Sequence, residues 1–289
     1  MDRQTEITTP GALLNEKGDL ARPGFSRALV QEYRRADVKV SPLRIKEWDY
    51  YLVNNGKFAL ALTVADNGYM GLDSVSLLDL EEGWEITKSP MSFLPLGKKH
   101  LPETSVTGDV HSAARGYGIH FIHEGEKRVL IAYMNKFGES ALSARVELTE
   151  CPEDSLVIAT PFDKPGHFYY NQKIVGFRAS GYVNYNGKTY TFEPSDSFAV
   201  LDWGRGVWTY ENTWYWSSAA YVLPSGTPFG WNLGYGFGDT SAASENMLFH
   251  AGTAHKLGGI KFEIPGEAEG KERYTEPWKF TSDDGRFEA

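Results

Sequence analysis

The sequence is poor in cysteine: Cys151 is the only one in 289 residues. An intrachain disulfide is therefore excluded, and a reducing compartment is expected. Apolar runs are also short. None approaches the roughly 18 residues needed to span a bilayer as a helix, and the polar stretch 1–10 lacks the apolar core of a signal peptide. These two shortages predict a soluble, cytoplasmic protein without a membrane span. Positive charge is scarce too, with 29 Lys and Arg against 38 Asp and Glu and a net charge of −9. A nucleic-acid-binding face needs the opposite balance. No Gly-x-Ser-x-Gly elbow and no phosphate loop occur. Gly204-Arg205-Gly206 lacks the third glycine and following helix of a dinucleotide site, and so do the glycines of 230–238. His120 and His123 stand three apart on a predicted strand, which turns them to opposite faces, and no Cys pair could complete a metal site. No metal and no other cofactor are expected. Sustained helical periodicity is missing as well; the best helical candidate is the short stretch 25–35.

What is present favours β structure. Aromatic residues make up 14% of the chain and glycine contributes 30 residues. Asn55-Gly56, Asn67-Gly68 and Asn186-Gly187 each separate two strand-like runs, the strongest short-range signal for a hairpin. Short strands recur at spacings of roughly 8–12 residues, as in an antiparallel sandwich or barrel. The expected fold is all-β. Turn-rich residues 1–40, with Leu13, Leu14 and Leu20 between their turns, read as an arm packed on a larger body. Pro- and Gly-rich punctuation at 163–166 places a soft boundary between a first unit (41–164) and a second (165–289). Nothing in the sequence fixes an oligomeric state.

The densest aromatic stretch is 198–237, which holds five of the eight tryptophans. Alternation along a strand sorts its side chains into faces. Over 228–238, Phe229, Trp231, Leu233, Tyr235 and Phe237 share one face. The other carries four glycines and Asn232, leaving room for a close neighbour. Trp214 and Trp216 share a face. Asp202 points the same way as Phe198 and Val200, and an acid on an apolar face needs a partner. Arg205 is the nearest cation in sequence. The pair reads either as a structural bulge or as a carboxyl poised in an apolar pocket, its pKa raised by desolvation, to serve as general acid or cation stabiliser. Glu47 and Asp49 share a face of a predicted strand, most simply a solvated one. Glu245, Asn246, His255 and Lys256 could add polar groups to the same pocket.

Longer motifs carry a family resemblance. Thr9-Pro10-Gly11-Ala12-Leu13-Leu14 and Arg44-Ile45-Lys46-Glu47-Trp48-Asp49-Tyr50-Tyr51 resemble the uncharacterised family known as domain of unknown function (DUF) 2804. So do Tyr169-Tyr170-Asn171-Gln172-Lys173, Leu201-Asp202-Trp203-Gly204-Arg205-Gly206-Val207-Trp208, Trp214-Tyr215-Trp216, and Glu245-Asn246 with His255-Lys256-Leu257. Chains of that family continue some tens of residues beyond the Asp-Gly-Arg-Phe step, so a shortened second unit is expected. The family has no settled activity to carry over. More remotely, the Asp-Trp-Gly segment following Ser180-Gly181-Tyr182-Val183 is similar to the group of carotenoid hydratases, AttH-like proteins and fungal Diels–Alderases. That group implies paired lipocalin-like barrels with a hydrophobic cavity. Its Asp-x-x-Trp-Gly spacing is not kept here, so the fold is carried over and the site positions are not.

The expectation is thus two lipocalin-like antiparallel β-barrel units with an N-terminal arm. The leading functional reading is a cofactor-free hydratase, isomerase or cyclase acting on a largely apolar, unsaturated small molecule in a barrel cavity. Asp202 is the expected catalytic residue. Trp203, Trp208, Trp214 and Trp216 are expected to shape the pocket, and Arg205, Asn171, Lys173 and Glu245 to hold polar ends of the ligand. A non-catalytic carrier of an apolar ligand is the alternative, and a carbohydrate-active protein the third.

Overall fold

A computed structural model describes residues 4–289. Among them the chain is almost entirely strand and turn, with only 3₁₀ turns of three residues each and no α-helix. No helix among the described residues is long and apolar enough to cross a membrane. Asn186 and Gly187 both take positive φ, 49° and 74°, as a two-residue hairpin requires. At the other two Asn-Gly steps only the glycines do, Gly56 at 81° and Gly68 at 74°. The stretch 25–35 is not helical. Phe25 belongs to the strand Gly24–Ser26 and pairs with Ile158, so its backbone is satisfied by a neighbouring strand. Gln31–Glu32 is also strand, paired with Gly11–Ala12. Leu13 and Leu14 are buried in the main core.

The largest sheet has 14 strands. Its path runs Trp84–Lys88, Met70–Asp79, Phe58–Asp66, Lys46–Asn54, Phe198–Val207, Phe168–Tyr185, Ser140–Thr149, Lys127–Phe137, Tyr117–Glu124 and Val110–Ala114. Every neighbouring pair on this path is antiparallel. The sheet curls so that its two wings meet. Tyr51 and Phe121, from opposite wings, have ring centroids 4.7 Å apart, and Arg128 donates to the Tyr51 hydroxyl at 2.9 Å. The result is a lipocalin-like antiparallel fold. No ladder among the described residues joins Trp84–Lys88 to Val110–Ala114, so the curl is not sealed by hydrogen bonds at that edge. Phe198–Val207 and Lys46–Asn54 pair along nine residues, so strands from either side of 163–166 share this sheet.

The inside of the curl is filled with side chains from both wings, including Val53, Leu60, Ile119, Leu130, Val146 and Trp203. A four-stranded sheet of Tyr215–Val222, Pro228–Tyr235, Met247–His250 and Thr253–Lys256 covers the outer face of the central strands. Its glycine face turns inward: a Cβ on Gly230 would lie 2.9 Å from Val175 Cγ1. Its other face, with Phe229, Trp231 and Leu233, packs on Phe262, Trp278 and Phe287.

Two polar knots flank the central strand. On the inner face Arg205 is fully buried and donates to Asp49 Oδ1 at 2.9 Å and to the carbonyls of Trp48, Gly204 and Pro102. Burial still holds the Asp49 carboxyl above the ordinary range, against the pull of Arg205. Glu47, expected at a solvated surface with Asp49, is buried too, taking the Tyr33 hydroxyl at 2.8 Å and pairing with Arg35. Breaking such a buried pair leaves an uncompensated charge, at a cost of about 3–5 kcal/mol. Arg205→Met is therefore expected to lower urea-unfolding stability by about that amount. An Arg205→Met variant of wild-type stability would contradict this role.

Candidate functional site

Between the outer face of the main sheet and its cover lies a cavity of about 280 Å³. It is lined by Trp48, Tyr50, Thr63, Tyr169, Lys173, Asp202, Trp208, Trp214, Trp216, Phe237 and Glu245. Strand register explains the floor. Thr63 faces Tyr50, Tyr50 faces Asp202, and Asp202 faces Lys173, so one row of side chains crosses four strands. Tyr169, Asn171 and Lys173 fall on this face by alternation, while Tyr170 and Gln172 turn the other way. The walls are aromatic: Tyr169 stacks on Phe237 with centroids 4.4 Å apart, and Trp48 meets Trp208 edge-on at 5.2 Å. Trp214 reaches Phe237 at 5.0 Å. From the cover, Trp216 is aimed by its indole N–H, which donates to Asn232 Oδ1 at 2.7 Å.

Asp202 is held on three sides. Lys173 Nζ lies 2.6 Å from its Oδ2, Asn171 Nδ2 donates to its Oδ1 at 2.6 Å, and Trp48 Nε1 donates to Oδ1 at 3.2 Å. Lys173 is almost fully buried and sits 4.9 Å from the Trp216 ring centroid, in cation–π range. The Tyr50 hydroxyl is pushed up to about 12 by burial and then by the Asp202 charge. Gly204 makes the Trp48 contact possible. A Cβ there would fall 2.1–2.4 Å from atoms of the Trp48 indole, which lies flat across the glycine.

Glu245 enters from the cover side. It is 5% exposed, and its Oε1 is buried without a hydrogen-bond partner. Burial first, and then the Asp202 charge, raise its carboxyl above the ordinary range; Lys173, Tyr169 and Lys256 pull the other way. Burial likewise drives the Tyr169 hydroxyl well above its usual value, with Glu245 and Asp202 adding to the effect.

Of the residues expected at the site, the structure brings together Asp202, Lys173, Glu245, Trp208, Trp214 and Trp216 around this cavity. Asn171 stands behind Asp202 and fixes it. Trp203 and Arg205 are placed elsewhere. Both are fully buried in the inner core, where the guanidinium lies 4.2 Å from the Trp203 ring centroid and Tyr170 meets that ring edge-on at 5.7 Å. The expected Asp202–Arg205 pair does not form, because three residues along a strand separate the faces; Lys173 across the ladder is the partner instead. The cavity also lies outside the curl rather than in a barrel lumen, which the core fills. Trp48, Tyr50, Thr63 and Tyr169 were missed as lining residues. For the first two the signal was available, since Trp48 and Tyr50 alternate with Glu47 and Asp49. Asn246 instead braces the Gly234 amide, and Lys256 donates to Ser244 and to two carbonyls beside another cleft. His120 faces His111 on the adjacent strand, Nδ1 to Nδ1 at 3.0 Å. No group of three or more potential metal-ligating side chains occurs among the described residues.

Two outcomes are expected. Gly204→Ala forces the Trp48 indole aside and removes its bond to Asp202; overpacking of this kind costs about 1–3 kcal/mol. The Trp48 signal of 5-fluorotryptophan-labelled protein should then move, and an unmoved signal would refute the packing argument. For Glu245 the sign follows from its raised pKa. Between the unfolded value and the higher folded one, the folded state binds more protons, so its stability falls as pH rises through that window. Unfolding measured from pH 4 to pH 9 should show that decline weakened in Glu245→Gln; equal slopes would mean Glu245 folds ionised.

Residues 4–289 match the family model described as Domain of unknown function (DUF2804). Among curated proteins no sequence matches. Three solved structures resemble the fold. An AttH protein of Nitrosomonas europaea is 14% identical with a TM-score of 0.52, the match covering 89% of this chain and 82% of that one. Kievitone hydratase of Nectria haematococca is 12% identical with a TM-score of 0.44, covering 82% and 72%. CghA with Sch210972 is 10% identical with a TM-score of 0.40, covering 94% and 82%. At such identities the likeness concerns fold alone, and the AttH protein carries it. Over residues 4–289 the chain belongs to the DUF2804 family.

Proposed function

We propose that this protein is a cofactor-free enzyme of hydratase, isomerase or cyclase type, acting on a largely apolar, unsaturated small molecule in the cavity beneath the covering sheet. One observation carries the reading: a carboxylate–ammonium pair, Asp202 and Lys173, stands on the floor of a cavity walled by four tryptophans. Apolar walls with few fixed polar groups are the usual make-up of a small-molecule site. The volume, about 280 Å³, is near the lower end of the roughly 300–1,000 Å³ typical of such sites, which suits one compact ring system. Indole faces also favour positive charge that develops on a bound skeleton, and Asp202 is the fixed anion beside it.

The completeness of the Asp202 partnerships favours a second reading. A carboxylate with all its donors in place also suits a non-catalytic carrier, in which the pair only closes the floor.

Activity and stability separate the two. Asp202→Asn leaves the Lys173 charge without its anion, so it should lose stability; adding Lys173→Met should recover most of that loss, because the two residues share one interaction. Incubation with an organic extract of the source cells, followed by mass spectrometry, reads conversion as the gain of one water or as a new isomer. Wild type should convert a component, and the restabilised Asp202→Asn/Lys173→Met variant should not. If that variant converts as well as wild type, Asp202 has no part in the chemistry. If wild type retains an apolar molecule unchanged, the carrier reading stands.

A further inference from the structure

Asp202 and Glu245 both line the cavity, but their surroundings differ in kind. Asp202 receives three donors: Lys173 at 2.6 Å, Asn171 at 2.6 Å and Trp48 at 3.2 Å. The role of general acid, expected for it from the sequence, does not suit a carboxylate held by a buried ammonium. Glu245 makes no salt bridge, is 5% exposed, and has an oxygen buried without a partner. The charged and titratable groups around it are Lys173, Asp202, Tyr169 and Lys256, and burial outweighs them in raising its carboxyl above the ordinary range, which favours the protonated form. A neutral carboxyl has one O–H to donate. An orphaned polar atom on a cavity wall is a natural partner for a ligand atom; the other one at this site, Asn171 Oδ1, lies behind Asp202.

We propose that Glu245 is the hydrogen-bond donor of the cavity, and that the molecule it takes is an apolar conjugated ketone or aldehyde whose carbonyl oxygen accepts that bond. This inference rests on the enzyme reading above and narrows its substrate class. A carboxylate ligand is disfavoured because it would sit against Asp202. A cationic ligand is disfavoured because Asp202 is already paired with Lys173. A neutral acceptor satisfies Glu245 without disturbing that pair. Donation to the carbonyl draws electrons out of the conjugated double bond, which makes its far carbon more electrophilic toward water or an internal nucleophile and stabilises the enol through which the double bond can shift. Glu245 itself makes and breaks no covalent bond in this role.

Two bicyclic probes of nearly equal shape test it: 2-acetylnaphthalene, which carries the carbonyl, and 2-ethylnaphthalene, which does not. Titration calorimetry should find the ketone bound about ten-fold more tightly by wild type, the worth of one net hydrogen bond. Glu245→Gln, which keeps an N–H donor, should retain most of the preference, and Glu245→Leu should lose it while still binding 2-ethylnaphthalene. The infrared carbonyl band of the bound ketone should move to lower frequency in wild type and not in Glu245→Leu. Equal affinities for the two probes in wild type, or a preference that survives in Glu245→Leu, overturn the role of Glu245 and leave the apolar cavity standing. Failure of both probes to bind wild type overturns the cavity reading and this proposal together. A ¹³C carboxyl resonance assigned to Glu245 by its absence from Glu245→Gln, titrating at or below the ordinary glutamate value near 4.3, overturns the donor role whatever binds.

Discussion

A strand with neighbours on both edges can send its side chains in only two directions, and Phe198–Val207 has Lys46–Asn54 on one side and Phe168–Tyr185 on the other. The arrangement of the site depends on that constraint. Leu201, Trp203 and Arg205 enter the core of the curled sheet, while Val200 and Asp202 face the cover. The two charges of Asp-Trp-Gly-Arg-Gly are thereby separated by the thickness of the sheet. Each finds its counter-ion on an adjacent strand: Asp49 for Arg205 and Lys173 for Asp202. Desolvated charges require partners of this kind, and two independent pairs on two faces of one strand hold its register from both sides.

The same alternation ties structure to chemistry. Gly204 lies between the two knots, and its missing side chain lets the Trp48 indole lie across the strand and donate to Asp202. Gly230 does the equivalent for the cover, allowing its backbone to approach Val175. Glycine here creates near contact between layers, and the cavity is what remains where indole rings prevent full closure. Its polar groups come from different layers, Asp202 and Lys173 from the main sheet and Glu245 from the cover. Their environments differ accordingly, one acid held by three donors and the other buried with one oxygen unpaired among the described residues.

Much of the fold was legible. Asn-Gly turns, regular strand spacing and the absence of helical periodicity point to an antiparallel all-β chain, because each is a local property of the backbone. The stretch 25–35 misled because short apolar runs do not distinguish a buried edge strand from a helix; its pairing with Leu156–Pro161 is a contact across more than a hundred residues. The face of Asp202 was correctly assigned by alternation. The same rule, applied one step further, would have turned Arg205 away from it. Alternation puts Trp48 and Tyr50 on the face opposite Glu47 and Asp49, but the Glu47–Asp49 face reads as solvated until Arg205 and Arg35 are seen to cover it.

Residue order alone thus determined the strand content, the turns, the family motifs and which side chains of each strand travel together, since these follow from backbone geometry and a two-residue period. Only the tertiary structure decided which face meets which. It placed the cavity outside the curl, because the lumen is filled by core side chains from both wings. It gave Asp202 to Lys173, because ladder register, not distance along the chain, sets which charges become neighbours. It also left Glu245 buried without a cation of its own, an outcome of how two layers pack that no local pattern encodes.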